Sequence, residues 1–543
     1  MKKYLFIALA ALGFAACAEK DEMGNQPINN GEMEKSYISI TLASNDATRA
    51  EDELGKNFED GTPAESEVAT AYVFFFRDGV AFPVSYSNNT TTEGHANGTN
   101  YLPLTLDMKD ETNVTNNVSD YSDEILVIEN YRGEYPNQIV AVLNWTPIEP
   151  SYNIADLEDE LLNIQNTSGK FVMCNSVYAD ESTPKKAIIA TPITEANIGT
   201  KDDLDNDKLK AVQIYVERLA AKVEFTTANA DGLFETGETV VDRRNGANEE
   251  IEVNAKILGY ELFDAYYDSW LVKQIVPTWL DSELGFTWND SPNYRSYWAD
   301  SYTNRADLSF PASNKFNWNN NPGEAYCGEN TRPGENNRTK VVVKAQLVDE
   351  NGDFVEVVNW LGKTYVGEDY LKIVVANTLK EQYFSYASAT YNGIEPKDLK
   401  CVTRNSNSEK AYYVDFQLST DDAGYGVNKT WYKKSADGKY TQVTDMNAEL
   451  MNVHPALVYK NGQTYYYTDI RHLANDTAKT GAYGVVRNHV YKVNINKVSG
   501  FGTPIYDPTQ DFVEVETPEE IYTYVSAQIN ILSWRIVARD YEL

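Results

Sequence analysis

The alternation of apolar and polar positions is most regular at the C-terminal end, residues 523–543. Val525, Ala527, Ile529 and Ile531 stand two apart, separated by Ser526, Gln528 and Asn530. That is the period of a strand with one buried face. After Ile531 the phase slips, and Leu532, Trp534 and Ile536 carry the apolar side. One added residue turns every later side chain to the opposite face, so the segment is either bulged or two consecutive strands. Such a strand needs a sheet edge, either of its own domain or of a neighbouring copy.

The same alternation occurs near the other end, where Ile38, Ile40 and Leu42 predict a half-buried strand. Behind it, residues 45–52 are small and polar around Arg49, the composition of an accessible loop that proteases cut. Between the two ends, strand-length apolar runs occur at 72–76, 124–128, 138–144, 212–225, 251–263, 340–348, 354–359 and 485–498. The first closes on an Asp78-Gly79 turn. Residues 138–144 are apolar on both faces, as in a central strand, and 485–498 is the longest run, with Tyr491, Val493 and Ile495 on one side. Residues 457–459 and 464–468 predict a hairpin about the turn 460–463.

Helix signals are few. Asn153, with Asp156 three residues on, caps a predicted helix to Ile164, and a second covers 371–383. Residues 281–333, rich in Asn, Trp, Tyr and Pro, lack periodicity and read as a surface insertion whose rings pack on themselves. Residues 503–520 are Pro/Asp/Glu-rich with no core signal. Many short strands with Asn/Gly turns predict a mainly β protein of two antiparallel Greek-key β-sandwich domains with a few short helices.

The N-terminus changes the picture of where this chain works. Met1-Lys2-Lys3 precedes an apolar run at 4–14, too short for a permanent membrane helix, and then Ala15-Ala16-Cys17. This is a secretory signal, and it resembles a bacterial lipoprotein signal in which Cys17 becomes the lipidated first residue. Phe14 departs from the usual Leu or Val three before the cysteine. No later run of about 20 apolar residues exists.

With 543 residues, two domains are the natural division, and the formal charge of −34 argues against nucleic acid and anionic membrane as partners. Cys174, Cys327 and Cys401 are widely spaced and odd in number, so no disulfide framework is expected and all three read as buried thiols. Asp203, Asp205 and Asp207 alternate like the front half of a calcium loop, but the mid-loop Gly and distal Glu are missing, so a solvated linker is the better reading. His95, His454, His472 and His489 do not pair at metal-ligand spacing, and no nucleophile elbow, P-loop or dinucleotide-binding glycine run appears. No cofactor, metal or catalytic residue is predicted, and the chain reads as a non-enzyme.

Several stretches together resemble the fimbrillins of the Bacteroidota, the subunits of type V pili, most nearly the shaft subunits of the minor, short fimbriae. They are the Cys17 signal, Thr48-Arg49-Ala50, 139–144, Glu217-Arg218-Leu219-Ala220-Ala221-Lys222-Val223, 325–331, 339–345, 485–495 and 525–536. Residues 281–333 do not align. The resemblance implies a precursor exported as an outer-membrane lipoprotein and cut between Arg49 and Ala50 by an arginine-specific protease. The strand with Ile38, Ile40 and Leu42 then leaves. The C-terminal strand of another copy, with Val525, Ala527, Ile529, Ile531, Leu532, Trp534 and Ile536, takes its place by strand addition. Head-to-tail contact that does not close gives a filament. Other implied partners are anchor and tip fimbrial proteins and host or bacterial surface ligands, with a role in adhesion and biofilm. On this reading residues 1–16 are the signal peptide and 17–49 a propeptide with its removable strand at 36–43. Two domains span 50–205 and 206–502, followed by a linker at 503–522 and the donor strand at 523–543. A monomeric surface lipoprotein that binds glycan or host protein is the alternative.

Overall fold

The structure is a computed structural model that describes residues 35–43, 61–62, 64–84, 99–104, 124–129, 135–179, 187–200, 203, 206, 208–274, 281–285, 298–301, 324–331, 338–404, 413–420, 426–506, 524–532 and 538–539. The protein is mainly β, with several sheets, mostly antiparallel, and few short helices, as the strand pattern predicted.

The first sheet is built on Ala71–Arg77 and Gln138–Leu143, paired antiparallel from Ala71↔Leu143 to Phe76↔Gln138. Phe74, Phe75, Phe76, Ile139, Val140, Ala141 and Val142 are all fully buried, so both faces are covered, as in a central strand. Asp78 and Gly79 both have positive φ, the conformation of the tight hairpin turn their sequence predicts. The predicted helix over 153–164 is shorter: it spans Ile154–Glu158 with the capping box at Asn153 and Asp156. Leu161–Asn163 is instead a strand paired with Asp268–Trp270, so tertiary pairing overrides the helical spacing of Leu161 and Leu162.

The run 212–225 divides into two strands. Val212–Arg218 joins the first sheet, and Ala221–Thr227 runs parallel to Val490–Ser499 in another. Leu219 and Ala220 close the first core, which also takes in Val212, Ile214, Leu271 and Val272. Ala221 and Val223 open the second, with Tyr260, Val341, Val343, Tyr491, Val493 and Ile495. A third core packs Leu371 and Val375 of the helix Glu368–Leu379 against Trp360, Phe416 and Trp431.

Two further expectations are corrected. The strands Ala456–Tyr459 and Gln463–Asp469 are joined by a tight turn with positive φ at Asn461 and Gly462, but they do not pair with each other. The first pairs with Val357–Trp360, the second with Lys340–Val348, so the turn carries the chain between two separated places in one sheet. The strand predicted at 485–498 is Val490–Ser499, because Asn488 takes a left-handed φ of 57° and breaks the extended run. The longest strand is Glu249–Phe263. Of residues 281–333, the described parts include Trp298, which is buried with its ring 5.3 Å from that of His472.

Candidate functional site

Lys35–Ala43 is a strand inside the first sheet rather than at its margin. On one side it pairs antiparallel with Glu124–Glu129, with Ile38 opposite Leu126. On the other, Ile38 is opposite Ile198 of the antiparallel pair Ile198–Gly199, and Ile40 and Leu42 are opposite Val212 and Ile214 in a parallel pairing. Val212 and Ile214 belong to the first core. Among the described residues Glu124–Glu129 has no strand partner except this one.

The tail strand, Tyr524–Leu532, pairs antiparallel with Val490–Ser499 of the same chain. Ala527, Ile529 and Ile531 stand opposite Ile495, Val493 and Tyr491, all three fully buried members of the second core. The pairing skips Asn496, and that bulge puts Val525 opposite the buried Val498 instead of Lys497. The irregularity therefore sits on the partner strand, and the tail keeps one alternation through Ile531. Ala538–Arg539 pairs antiparallel with Tyr524–Leu532 at Asn530 and Ile529. Leu532 ends the tail strand, opposite Val490. Cys17, Arg49, Ala50, Trp534 and Ile536 lie outside the described residues, as do Asp205 and Asp207.

The chain leaving the body is clamped before the tail begins. Tyr466 Oη donates to the Gly500 carbonyl and Tyr459 Oη to that of Gly502, both at 2.9 Å. Thr464 Oγ1 lies 2.6 Å from the Phe501 carbonyl and 2.9 Å from that of Thr503. Ile505 is buried and exchanges backbone hydrogen bonds with Lys460 and Gln463, and Tyr506 Oη reaches Glu368 at 3.2 Å. Residues 503–506, expected to begin a linker, are thus held by the body.

A buried polar network between the first and second cores had no signal in composition or spacing. Glu65 binds Lys222 Nζ at 3.0 Å and accepts from Tyr326 Oη at 2.6 Å. Arg218 Nε donates to the Glu65 carbonyl at 2.7 Å and its Nη2 to Ser66 Oγ at 2.8 Å. Glu217 pairs with Lys273 at 3.2 Å, and Arg487 with Glu329 at 2.7 Å while donating to the carbonyls of Trp270 and Leu271. Burial alone pushes the Glu65 carboxyl up, but hydrogen bonds from Tyr326 and Thr62 and the Lys222 ammonium outweigh it and hold the group below its ordinary value. Burial raises Glu217 despite Lys273 and Arg487, and lowers Arg218 to about 10. Three stretches that carried the family resemblance, around Glu217–Lys222, Tyr326–Glu329 and Arg487–Tyr491, meet in this network. Single buried charges look like surface charges in a sequence, and only their convergence in the fold reveals the network.

The three cysteines are free and buried. Burial pushes the Cys174 and Cys327 thiols up to about 12. Asp203 accepts from Thr200 and pairs with Lys208 at 3.2 Å, which holds its carboxyl near 2, so it closes its own turn. Among the described residues no group of three or more His, Cys, Asp or Glu stands where a metal could be held, and no helix is long and apolar enough to cross a membrane.

Residues 457–540 match the family model described as major fimbrial subunit protein type IV, fimbrillin, C-terminal. The C-terminal part of this chain is similar to fimbrillin C-terminal regions. The match takes in the clamp, Val490–Ser499 and the tail strand, and the family is one of structural fimbrial subunits rather than enzymes. No curated protein matches the sequence. Among solved structures, the fimbrillin FimA of Porphyromonas gingivalis is similar at 11% identity and a TM-score of 0.35, over 91% of this chain and 96% of that one. The tip fimbrial protein Mfa3 of Porphyromonas gingivalis is similar at 9% identity and a TM-score of 0.23, over 91% and 99%. A fimbrial assembly protein of Parabacteroides distasonis is similar at 11% identity and a TM-score of 0.27, over 76% and 100%.

Proposed function

We propose that this chain is a structural fimbrial shaft subunit that polymerises by donating its C-terminal strand to the next copy. The carrying observation is the position of Lys35–Ala43 between two strand edges, in a segment that ends six residues before Arg49. A cut after Arg49 leaves that strand attached by non-covalent contacts alone. Its departure strips Glu124–Glu129 of its partner and opens an edge beside Val212 and Ile214. The tail strand has the same length, nine residues, and the same alternation, so it fits as the replacement. Leu532, Trp534 and Ile536 extend the donor beyond what it replaces. At about 25 cal/mol per Å² of apolar area, their burial adds several kcal/mol over the strand displaced. Export as a lipoprotein through Cys17, a domain division after Ala220 rather than near residue 205, where the first core gives way to the second, and roles for anchor and tip proteins and surface ligands belong to the same reading.

The tail's pairing with Val490–Ser499 of its own chain favours a second reading for the uncut protein, a monomer with its donor stored on its own body. Brief digestion with an arginine-specific protease separates the two. Shaft assembly gives SDS-resistant ladders, Ala50 as the new N-terminus, and no ladder when 523–543 are deleted. Material shed from cells as a monomer that still begins at lipidated Cys17 would overturn the shaft reading.

A further inference from the structure

Four short strands, Tyr383–Ala387, Thr390–Gly393, Trp431–Lys434 and Tyr440–Val443, form a sheet of their own, separate from those holding the N-terminal and tail strands. Their register sorts the side chains. Tyr386 is opposite Tyr391, Phe384 opposite Tyr432, and Lys434 opposite Tyr440, and directly opposed residues share a face. Tyr383 and Trp431, on the other face, are buried in the third core. The outer face therefore carries five aromatic rings, one lysine and Gln442, with no aliphatic side chain and no carboxylate.

The rings form one continuous cluster. Tyr391 and Tyr440 stack at 3.8 Å and 6°, Tyr391 lies 4.8 Å from Tyr386 and 5.3 Å from Tyr432, and Tyr440 lies 5.2 Å from Phe384. Lys434 Nζ sits 5.8 Å over both Phe384 and Tyr440. Only Phe384 is buried; Tyr391, Tyr432 and Tyr440 are half-buried and Tyr386 is 46% exposed. Among the described residues none of the four tyrosine hydroxyls has a hydrogen-bond partner, whereas Tyr383, Tyr459 and Tyr466, which pack inward, each bind one. A cluster meant only to exclude water would be served by Phe, Leu or Val.

We propose that this face is a binding site for neutral polysaccharide. Pyranose rings offer C–H faces that pack on tyrosine rings and hydroxyls that pair with the free phenols, Gln442 and the Lys434 ammonium. The charge of the chain selects within that class. A chain of formal charge −34 repels acidic polymers, while a face without carboxylates leaves uncharged sugar unopposed. The site goes beyond the fimbrial reading and stands whether or not the chain polymerises.

Native affinity electrophoresis of the full chain through gels containing yeast mannan, dextran or galactomannan tests it, with hyaluronan as the acidic control. At least one neutral gel is expected to retard the protein and hyaluronan to leave it unmoved. Y386A and Y440A weaken the retardation by about tenfold at an unchanged melting temperature, and Y386F weakens it less, since the ring remains. Mobility in all three neutral gels equal to that in a polysaccharide-free gel overturns the proposal, as does retardation that survives both alanine substitutions or occurs only with hyaluronan. If Y386A instead abolishes self-association in sedimentation velocity and leaves retardation intact, the face binds protein and the proposal fails.

Discussion

Glu65 shows how much a single side chain holds at the junction of the two larger cores. Its carboxylate binds Lys222 and Tyr326 while its backbone carbonyl takes Arg218, all with little access to solvent. Removing one partner of a buried pair strands the other, so E65A is expected to cost about 3–5 kcal/mol in urea unfolding at pH 7. The pH dependence has a defined sign. A carboxyl held below its ordinary value in the folded state stabilises fully above that value and loses the contribution as pH falls through the lowered one. The gap between wild type and E65A therefore narrows as the pH drops below about 4.5. A gap that widens on acidification contradicts this assignment. The cysteines give a second residue-scale prediction. With burial raising all three thiols, little thiolate forms near pH 8. Native protein starting at Ala50 should react with a thiol reagent only after denaturant is added; rapid labelling of any one of them would show it to be accessible.

At the scale of elements, Gly502 sits within the clamp that holds the chain before the tail. Its φ is +75°, and a Cβ there would run into Thr464 Oγ1 and the Tyr465 carbonyl. G502A should cost about 1–3 kcal/mol by forcing a strained backbone and disturbing the hydrogen bonds at Gly500–Thr503. Its melting temperature should fall, and protease-triggered ladders should weaken more than they do for a surface control. Ladders of normal strength would mean that the clamp does not position the donor. How far the sequence reveals such elements depends on whether their signal is local. The apolar runs at 71–77, 138–143 and 249–263 are local, and strands form there. The capping box at Asn153 correctly starts a helix, yet pairing with Asp268–Trp270 ends it early. Residues 456–469 have hairpin chemistry, but their partners come from Val357–Trp360 and Lys340–Val348, about a hundred residues upstream. Alternation shows which face is buried and not which strand lies alongside. The ends of the chain were legible as strands for that reason, whereas the edge each occupies was not. The aromatic face stayed hidden because its rings come from four short segments spread over residues 383–443.

At the scale of the whole molecule, the two terminal strands lie within different sheets, and the proposed exchange between copies has a consequence measurable in solution. A chain that starts at Ala50 and ends at Tyr506 lacks both strands, so it bares the slot beside Val212 and Ile214 and the edge of Val490–Ser499. A chain that keeps residues 1–49 and also ends at Tyr506 bares only the second edge. A synthetic peptide of residues 523–543 distinguishes the two sites. If the donor fills the vacated slot, the peptide stabilises the cut body by about 4 kcal/mol at a thousandfold excess over Kd, seen as a rise of several degrees in melting temperature. It has a much smaller effect on the body that retains its N-terminal strand. The same peptide with I529D is expected to have no effect on the cut body, because it puts a charge into the middle of the donor's apolar alternation. Equal stabilisation of both bodies would place the peptide on Val490–Ser499 alone and remove the physical basis for head-to-tail growth. The proposed transfer has a defined reach: from the clamp at Tyr506 to the start of the tail strand at Tyr524, a fully extended chain spans at most roughly 55–60 Å, so deletions within 507–523 should weaken ladders in proportion to the reach they remove.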